Sequence, residues 1–271
     1  MKTEVTQQQI DAYQRDGFLI IEDFISEAEV EEILAAVEES VAQMGKQKVA
    51  GDGNEDLAEG DSFYDRVFLQ RLNLWRINDT IKRYFLNPNL GKMLAKLAGV
   101  EGIHVWDDQT LQKAPWANPT AWRLDNPYSS FHSRDALSIW VALDGATIQN
   151  GCMYYLPGTH KTANFDNVDI DENVGTLFDV YLEWCEIEPV MAEMKRGWAG
   201  VHNGPTAHGA GPNMTPRPRR AMTCAYMPQG AKFNGQQNIL PKEFIDSLKI
   251  GDPLVNEKLL PLIWSKSRAA G

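Results

Sequence analysis

Apolar residues near the start of the chain recur at helical spacing. Val30, Ile33, Leu34, Val37, Val41 and Met44 fall three and four apart, the period of one helix face. Ser26 with Glu29 makes a capping box ahead of them and Gly45 follows, so the pattern predicts a helix between the two. Residues 6–16 read as a shorter helix, and residues 17–24 as a strand. Residues 46–61 are polar and glycine-rich, which predicts a mobile surface loop. Helical spacing returns over residues 79–98, interrupted at Asn87-Pro88 because proline cannot continue a helix.

From Gly102 the period changes. Short runs rich in β-branched and aromatic residues lie at 103–106, 136–143, 153–156, around Val201 and at 221–226, separated by Gly, Pro and Asn turns. Such runs predict a mainly β domain, an antiparallel sandwich or barrel with flanking helices. Neither a repeat nor a linker divides the chain. One domain over residues 1–271 is expected: an N-terminal strand and helices (1–101), a β core (102–228) and a C-terminal extension (229–271).

Composition narrows the partners. A formal net charge of −11 repels phosphate backbones and anionic lipid surfaces, so neither nucleic acid nor membrane is an expected partner. No stretch approaches the roughly 20 apolar residues of a membrane helix, and the first residues lack the apolar core of a signal peptide. Cys152, Cys185 and Cys224 are widely spaced with no C-x-x-C pair, which points to reduced thiols and a cytoplasmic location.

Four segments carry the chemistry: TAWRLDNPY (120–128), LSIWVALD (137–144), NGCMYYLPGTH (150–160) and HGAGPN (208–213) running on to Arg219-Arg220. In order and separation they resemble the phytanoyl-CoA dioxygenase family of iron- and 2-oxoglutarate-dependent oxygenases. The resemblance extends to the DGFLIIEDFI opening (16–25) and covers nearly the whole chain. It implies a double-stranded β-helix, the cupin-like jelly roll, over residues 102–228. It also implies non-haem Fe(II) held by two histidines and a carboxylate, with positions left open for 2-oxoglutarate and oxygen. On this sequence the carboxylate falls on Asp125 and the distal histidine on His208. The co-substrate arginine, eleven residues further on, falls on Arg219, whose planar fork suits a carboxylate. Trp140 and Lys113 fall where the family makes further co-substrate contacts, and Tyr128, Ser129 and Trp198 are the expected substrate-pocket residues.

One position departs from the family. Where the pattern has its first histidine, this chain has Arg123. A guanidinium offers no lone pair to a metal, and its charge opposes a divalent cation nearby. Residues two apart on a strand share a face, so Arg123 and Asp125 should project together, and a salt bridge there can replace the metal. His202 lies six residues before His208 and shares its parity, but Gly204-Pro205 interrupts the strand that parity assumes. An Asp125/His202/His208 set is therefore the less favoured arrangement. His132 and His160 read as loop and surface-turn residues. Trp198, Pro205 and Ser129 also differ from the family's usual residues, which suggests a pocket reshaped for another ligand.

Plainer readings stand beside these. Asp125 precedes Asn-Pro as turn residues do, Arg219 lies in the basic run 217–220, and Trp140, His104 and Trp106 suit a barrel core. Three functions follow. The favoured one is a metal-independent small-molecule enzyme of secondary metabolism, with Arg123 as a clamp and Asp125, His202 and His208 as acid–base groups for isomerisation, cyclisation or elimination. The second is a working Fe(II)/2-oxoglutarate oxygenase, and the third a non-catalytic binder. In the first no metal or co-substrate is needed. Two protein ligands beside a cation make a poor site, so substoichiometric iron is expected of the purified protein.

Overall fold

In the computed structural model, which describes residues 1–60, 62–166 and 168–269, the change of period after Gly102 becomes two antiparallel sheets. Asp61, at the end of the predicted loop, and residues 270–271, at the end of the predicted extension, lie outside the described residues. The strands in chain order are β1 (Phe18–Ile21), β2 (Phe68–Leu72), β3 (Gly102–Lys113), β4 (Thr120–Arg123), β5 (Leu137–Ala142), β6 (Met153–Tyr155), β7 (Val190–Ala192), β8 (Ala199–Asn203), β9 (His208–Ala210), β10 (Arg219–Pro228) and β11 (Leu262–Ser265). The larger sheet runs β1-β8-β5-β10-β3-β11, with β2 also on β3, and the smaller runs β4-β9-β6-β7. This is the jelly roll that the resemblance implied.

Alternation along β5 explains how the larger sheet divides inside from outside. Leu137, Ile139 and Val141 face the helices, while Ser138 and Trp140 line a cavity between the sheets. The outer face is covered by α1 (Gln7–Asp16), α2 (Glu27–Met44), α4 (Asp79–Phe85) and α5 (Pro88–Ala98), with the short α3 (Phe63–Val67) near the cavity. The Ser26–Glu29 capping box starts α2 as predicted. Val30, Ile33, Leu34 and Val37 are all buried against the sheet, each contributing roughly 2 kcal/mol of apolar burial. Asn87 caps α5, and Pro88 takes its first turn, where no backbone donor is needed.

Two predicted peripheries are built into the molecule. Within residues 46–60, Val49 and Ala50 are buried, Ala50 N–H donates to Leu72 O, and Lys48 and Leu57 line the cavity. The segment is thus a wall and not merely a surface loop, held by bonds to β2 that its composition did not reveal. Residues 229–269 supply β11 and an apolar cluster in which Ile239, Leu240, Leu254 and Leu260 pack with Trp106 and Phe131. Between them β2 and β11 cover the outer edge of β3, leaving little of it free to pair with another chain.

Candidate active site

Three chain segments converge at one end of the cavity. β4 ends at Arg123, Leu124 is buried, and at Asp125 the backbone leaves extended geometry (φ −81°, ψ −47°). The N–H groups of Asp125 and Asn126 both donate to Gly204 O (3.0 and 3.3 Å), and that clamp sets the direction of the Asp125 carboxylate. β8 carries His202 on the larger sheet. The chain then breaks strand at Gly204-Pro205 and returns as β9, in the smaller sheet, with His208. The break that counted against His202 is what brings it in. The two rings face each other from different sheets, 4.6 Å between centroids, so parity along one strand was the wrong argument.

Asp125 sits between them. Oδ2 lies 2.9 Å from His202 Nε2 and Oδ1 lies 3.2 Å from His208 Nε2. Ser138 Oγ donates to Oδ2 (3.2 Å). One donor atom from each of Asp125, His202 and His208 lies within 4.8 Å of the others. Burial raises the Asp125 carboxyl, but the His208 and His202 rings, when they carry a proton toward it, outweigh burial and hold the group well below its ordinary range. His208 is pulled down, first by burial and further by Arg123 and His202, against the lift from Asp125. His208 Nδ1 lies 3.0 Å from Thr206 O, which only accepts, so Nδ1 carries the proton. Nε2 therefore meets the carboxylate with a lone pair unless a cation, proton or metal, lies between them.

Arg123 is buried beside this group. Its Nε is 3.9 Å from Asp125 Oδ1, a loose pair, and Nη1 donates to Ala121 O at 3.4 Å. Sequence placed the two side chains together correctly, although only Arg123 is on the strand. At the other end of the cavity lies Arg219, 1% exposed, its guanidinium 5.0 Å over Trp140. Nη2 donates to Gly151 O (3.1 Å), while Nε and Nη1 have no hydrogen-bond partner among the described residues. Burial pulls its pKa down to about 10.

The expected residues divide as follows. Arg123, Asp125, Tyr128, Ser129, Trp140, His202, His208 and Arg219 all line the cavity, of about 410 Å³. Lys113 does not. Its Nζ lies 4.9 Å over the Phe68 ring and donates to Thr120 Oγ1 (3.1 Å), so Phe68 stands where Lys113 was expected. Burial, then Arg219 and Arg123, pull the Lys113 ammonium down to about 6. Gly151, at φ +89°, admits it: a Cβ there would come 2.8 Å from Lys113 Cδ and 2.7 Å from Gly211 O. Trp198 is also outside the cavity. It lies before β8 begins, packs behind the inner wall, and donates Nε1–H to Asp23 Oδ1 (3.1 Å). His132 stacks on Phe165, His160 contacts Gln14 O, and His104 bonds Leu260 O, while Trp106 lines the cavity. Asp107, Gln109, Tyr64 and Lys48, lining residues that the sequence did not single out, come from β3, α3 and the predicted loop.

A family model described as phytanoyl-CoA dioxygenase (PhyH) matches residues 13–221. The chain is 27% identical over 219 residues to the probable alpha-ketoglutarate-dependent hypophosphite dioxygenase of Stutzerimonas stutzeri, across 79% of this chain and 76% of that protein. It is 24% identical over 226 residues to the methylphosphonate hydroxylase of Gimesia maris, across 83% and 82%. Among solved structures, the non-heme alpha ketoglutarate dependent carbocyclase SnoK from nogalamycin biosynthesis superposes with a TM-score of 0.77 at 25% identity, covering 96% of each chain. The epimerase SnoN, solved with Fe3+, alpha ketoglutarate and nogalamycin RO, gives a TM-score of 0.71 at 23% identity over 95% and 98%, a likeness of fold. These proteins are enzymes and so is this chain, and the family resemblance supports Fe(II) and 2-oxoglutarate as cofactors. With the match running from α1 into β10, the chain belongs to the phytanoyl-CoA dioxygenase (PhyH) family.

Proposed function

We propose that the chain is a cytoplasmic enzyme of small-molecule secondary metabolism that uses Fe(II) and 2-oxoglutarate, with the metal held by Asp125, His202 and His208 in place of the Arg123 position. The observation that carries this reading is the meeting of His208 Nε2 and Asp125 Oδ1 at 3.2 Å with the His208 proton committed to Thr206 O. A proton or a metal cation between the two atoms would relieve that contact, and burial lowers the affinity of His208 for the proton. Two imidazoles and one carboxylate are the donor set that suits non-haem Fe(II). The unpartnered Nε and Nη1 of Arg219 leave two charged donors for an anion such as the distal carboxylate of 2-oxoglutarate. Bound Fe(II) with 2-oxoglutarate and oxygen supplies an oxidant for an unactivated C–H bond. The protein's own groups orient: Thr206 O fixes the His208 ring, Ser138 holds the Asp125 carboxylate, and the Trp140 ring lies 5.0 Å from the Arg219 guanidinium. Hydroxylation, ring closure and epimerisation are named for the relatives and neighbours, which supports an oxidative step whose outcome the substrate decides.

Anaerobic titration with Fe(II), followed by elemental analysis, tests this. The wild type should hold about one iron per chain and His202→Ala far less, with 2-oxoglutarate converted to succinate only by the former. A folded wild type that retains no iron would sink the reading.

A metal-independent reading rests on Arg123, a buried guanidinium with one weak backbone contact and a loose partner. Such a group can clamp an anion or a developing oxyanion for non-redox acid–base chemistry. Activity on the native substrate that survives EDTA would favour it. The non-catalytic reading falls with the family assignment.

A further inference from the structure

Besides the Asp125–His202–His208 cluster and Arg219, the cavity is lined by one further carboxylate, that of Asp107. β3 and β10 pair in register until a bulge, where Ala225 faces Asp107, Tyr226 faces Val105, and Trp106 is the extra residue. A bulge re-aims side chains, and here Trp106 and Asp107 both line the cavity. Asp107 is 6% exposed and its Oδ1 has no hydrogen-bond partner among the described residues. Asp108, next to it, is the contrast: fully buried, it accepts from the N–H groups of Leu74 and Trp75 (3.0 and 2.9 Å) and is accounted for by the fold. Arg76 is the cation that acts on Asp107, but its Nη atoms are engaged with Asp52 O and Leu259 O. A buried carboxylate without a partner is unfavourable unless something outside the chain supplies one.

Strand register shows where that partner would lie. His202 faces Ser138, Ser138 faces Ala225, and Ala225 faces Asp107, so the four form one row across the sheet. Adjacent strands lie about 4.8 Å apart, which puts Asp107 about 14 Å along the row from His202. Ser138 is turned to Asp125, and the floor between is the methyl group of Ala225. Trp106, Leu57 and Ile239 add apolar wall. A ligand over Ala225 therefore reaches the metal-ligand cluster with one end and Asp107 with the other.

We propose that Asp107 determines substrate specificity by receiving a protonated amine, the substrate's apolar body lying over Ala225 and its reacting carbon at the Asp125–His202–His208 end. This rests on the cavity being the active site. An ammonium supplies both the missing hydrogen bond and the missing counter-charge, whereas a hydroxyl supplies only the first.

The probe is n-hexylamine, with n-hexanol and hexanoate as neutral and anionic counterparts, titrated anaerobically into the full chain with Fe(II) and 2-oxoglutarate. Tryptophan fluorescence reports binding. On the wild type, hexylamine should bind saturably and more tightly than hexanol, and hexanoate least. Asp107→Asn and Asp107→Ala should weaken hexylamine roughly 10- to 100-fold and leave hexanol unchanged. Equal hexylamine binding by wild type and variants overturns the proposal, as does hexanol matching hexylamine on the wild type, which needs no variant to fold. Iron and 2-oxoglutarate affinities are measured alongside. If these hold while amine selectivity is absent, Asp107 is misassigned and the cofactor reading stands; if the wild type binds neither, that reading fails instead.

Discussion

Arg123 is the residue on which the chemistry turns. Its guanidinium, at the position where the sequence resemblance puts the family's first ligand, stands 3.9 Å from Asp125 Oδ1. A divalent ion held by Asp125 must bind against that charge, so Arg123→Ala should raise Fe(II) affinity, by roughly 10- to 100-fold in a partly screened site. Arg123→His should raise it further if β4 still aims the ring at Asp125. Anaerobic Fe(II) titration measures both, and an unchanged Arg123→Ala affinity would mean that the charge does not reach the metal. Asp107 makes a second test at this scale. Burial first, then Asp108 and Asp125, push its carboxyl up to about 7, with Arg76 opposing. In an unfolded chain the group titrates near pH 4. A folded value raised above the unfolded one means that the folded state binds more protons between roughly pH 4 and 7, so the group's contribution falls as pH rises through that window. Asp107→Asn should therefore gain thermal stability relative to the wild type from pH 4 to 7 and hold the gain above it. Midpoints that track each other at every pH would show Asp107 to be ordinary in the folded protein.

At the scale of elements, what was legible depended on whether a signal was local. The α2 helix was readable because its capping box and apolar stripe are contiguous, and Asp125, His208 and Arg219 because each sits in a motif of fixed spacing. His202 was named as a candidate but given less weight as a ligand, because its meeting with His208 depends on two strands of different sheets, which no spacing along the chain encodes. β3 was read only to Trp106, since Asp107-Asp108-Gln109 look unlike a strand. Those polar residues are satisfied by the 74–75 turn or turned to the cavity, so the strand continues to Lys113. The last forty residues looked like an appendage because their pairing partner, β3, lies far back in the chain. Leu260 is fully buried in the cluster behind Trp106, and its carbonyl oxygen meets His104 Nδ1. Leu260→Ala should cost about 2–5 kcal/mol, read by denaturant unfolding, while Fe(II) affinity stays within error. A loss below 1 kcal/mol would make the segment an accessory after all.

The molecule as a whole is strongly acidic, at −11, yet it hides an uncompensated guanidinium at the inner end of its cavity. Attraction and repulsion thus act on a dianion at different distances. Far away, 2-oxoglutarate meets the summed negative field; only inside the cavity does it meet the buried Arg219. Screening lengths shrink from about 30 Å at 0.01 M salt to about 8 Å at 0.15 M. Added salt should then speed the encounter of 2-oxoglutarate with the protein, on the order of twofold or more, and leave its escape rate nearly unchanged. Most proteins that bind anions behave in the opposite sense, because their positive charge faces the solvent. Stopped-flow association at several ionic strengths decides the point: a rate that falls with salt would mean that a local positive approach to the cavity outweighs the repulsion of the acidic exterior.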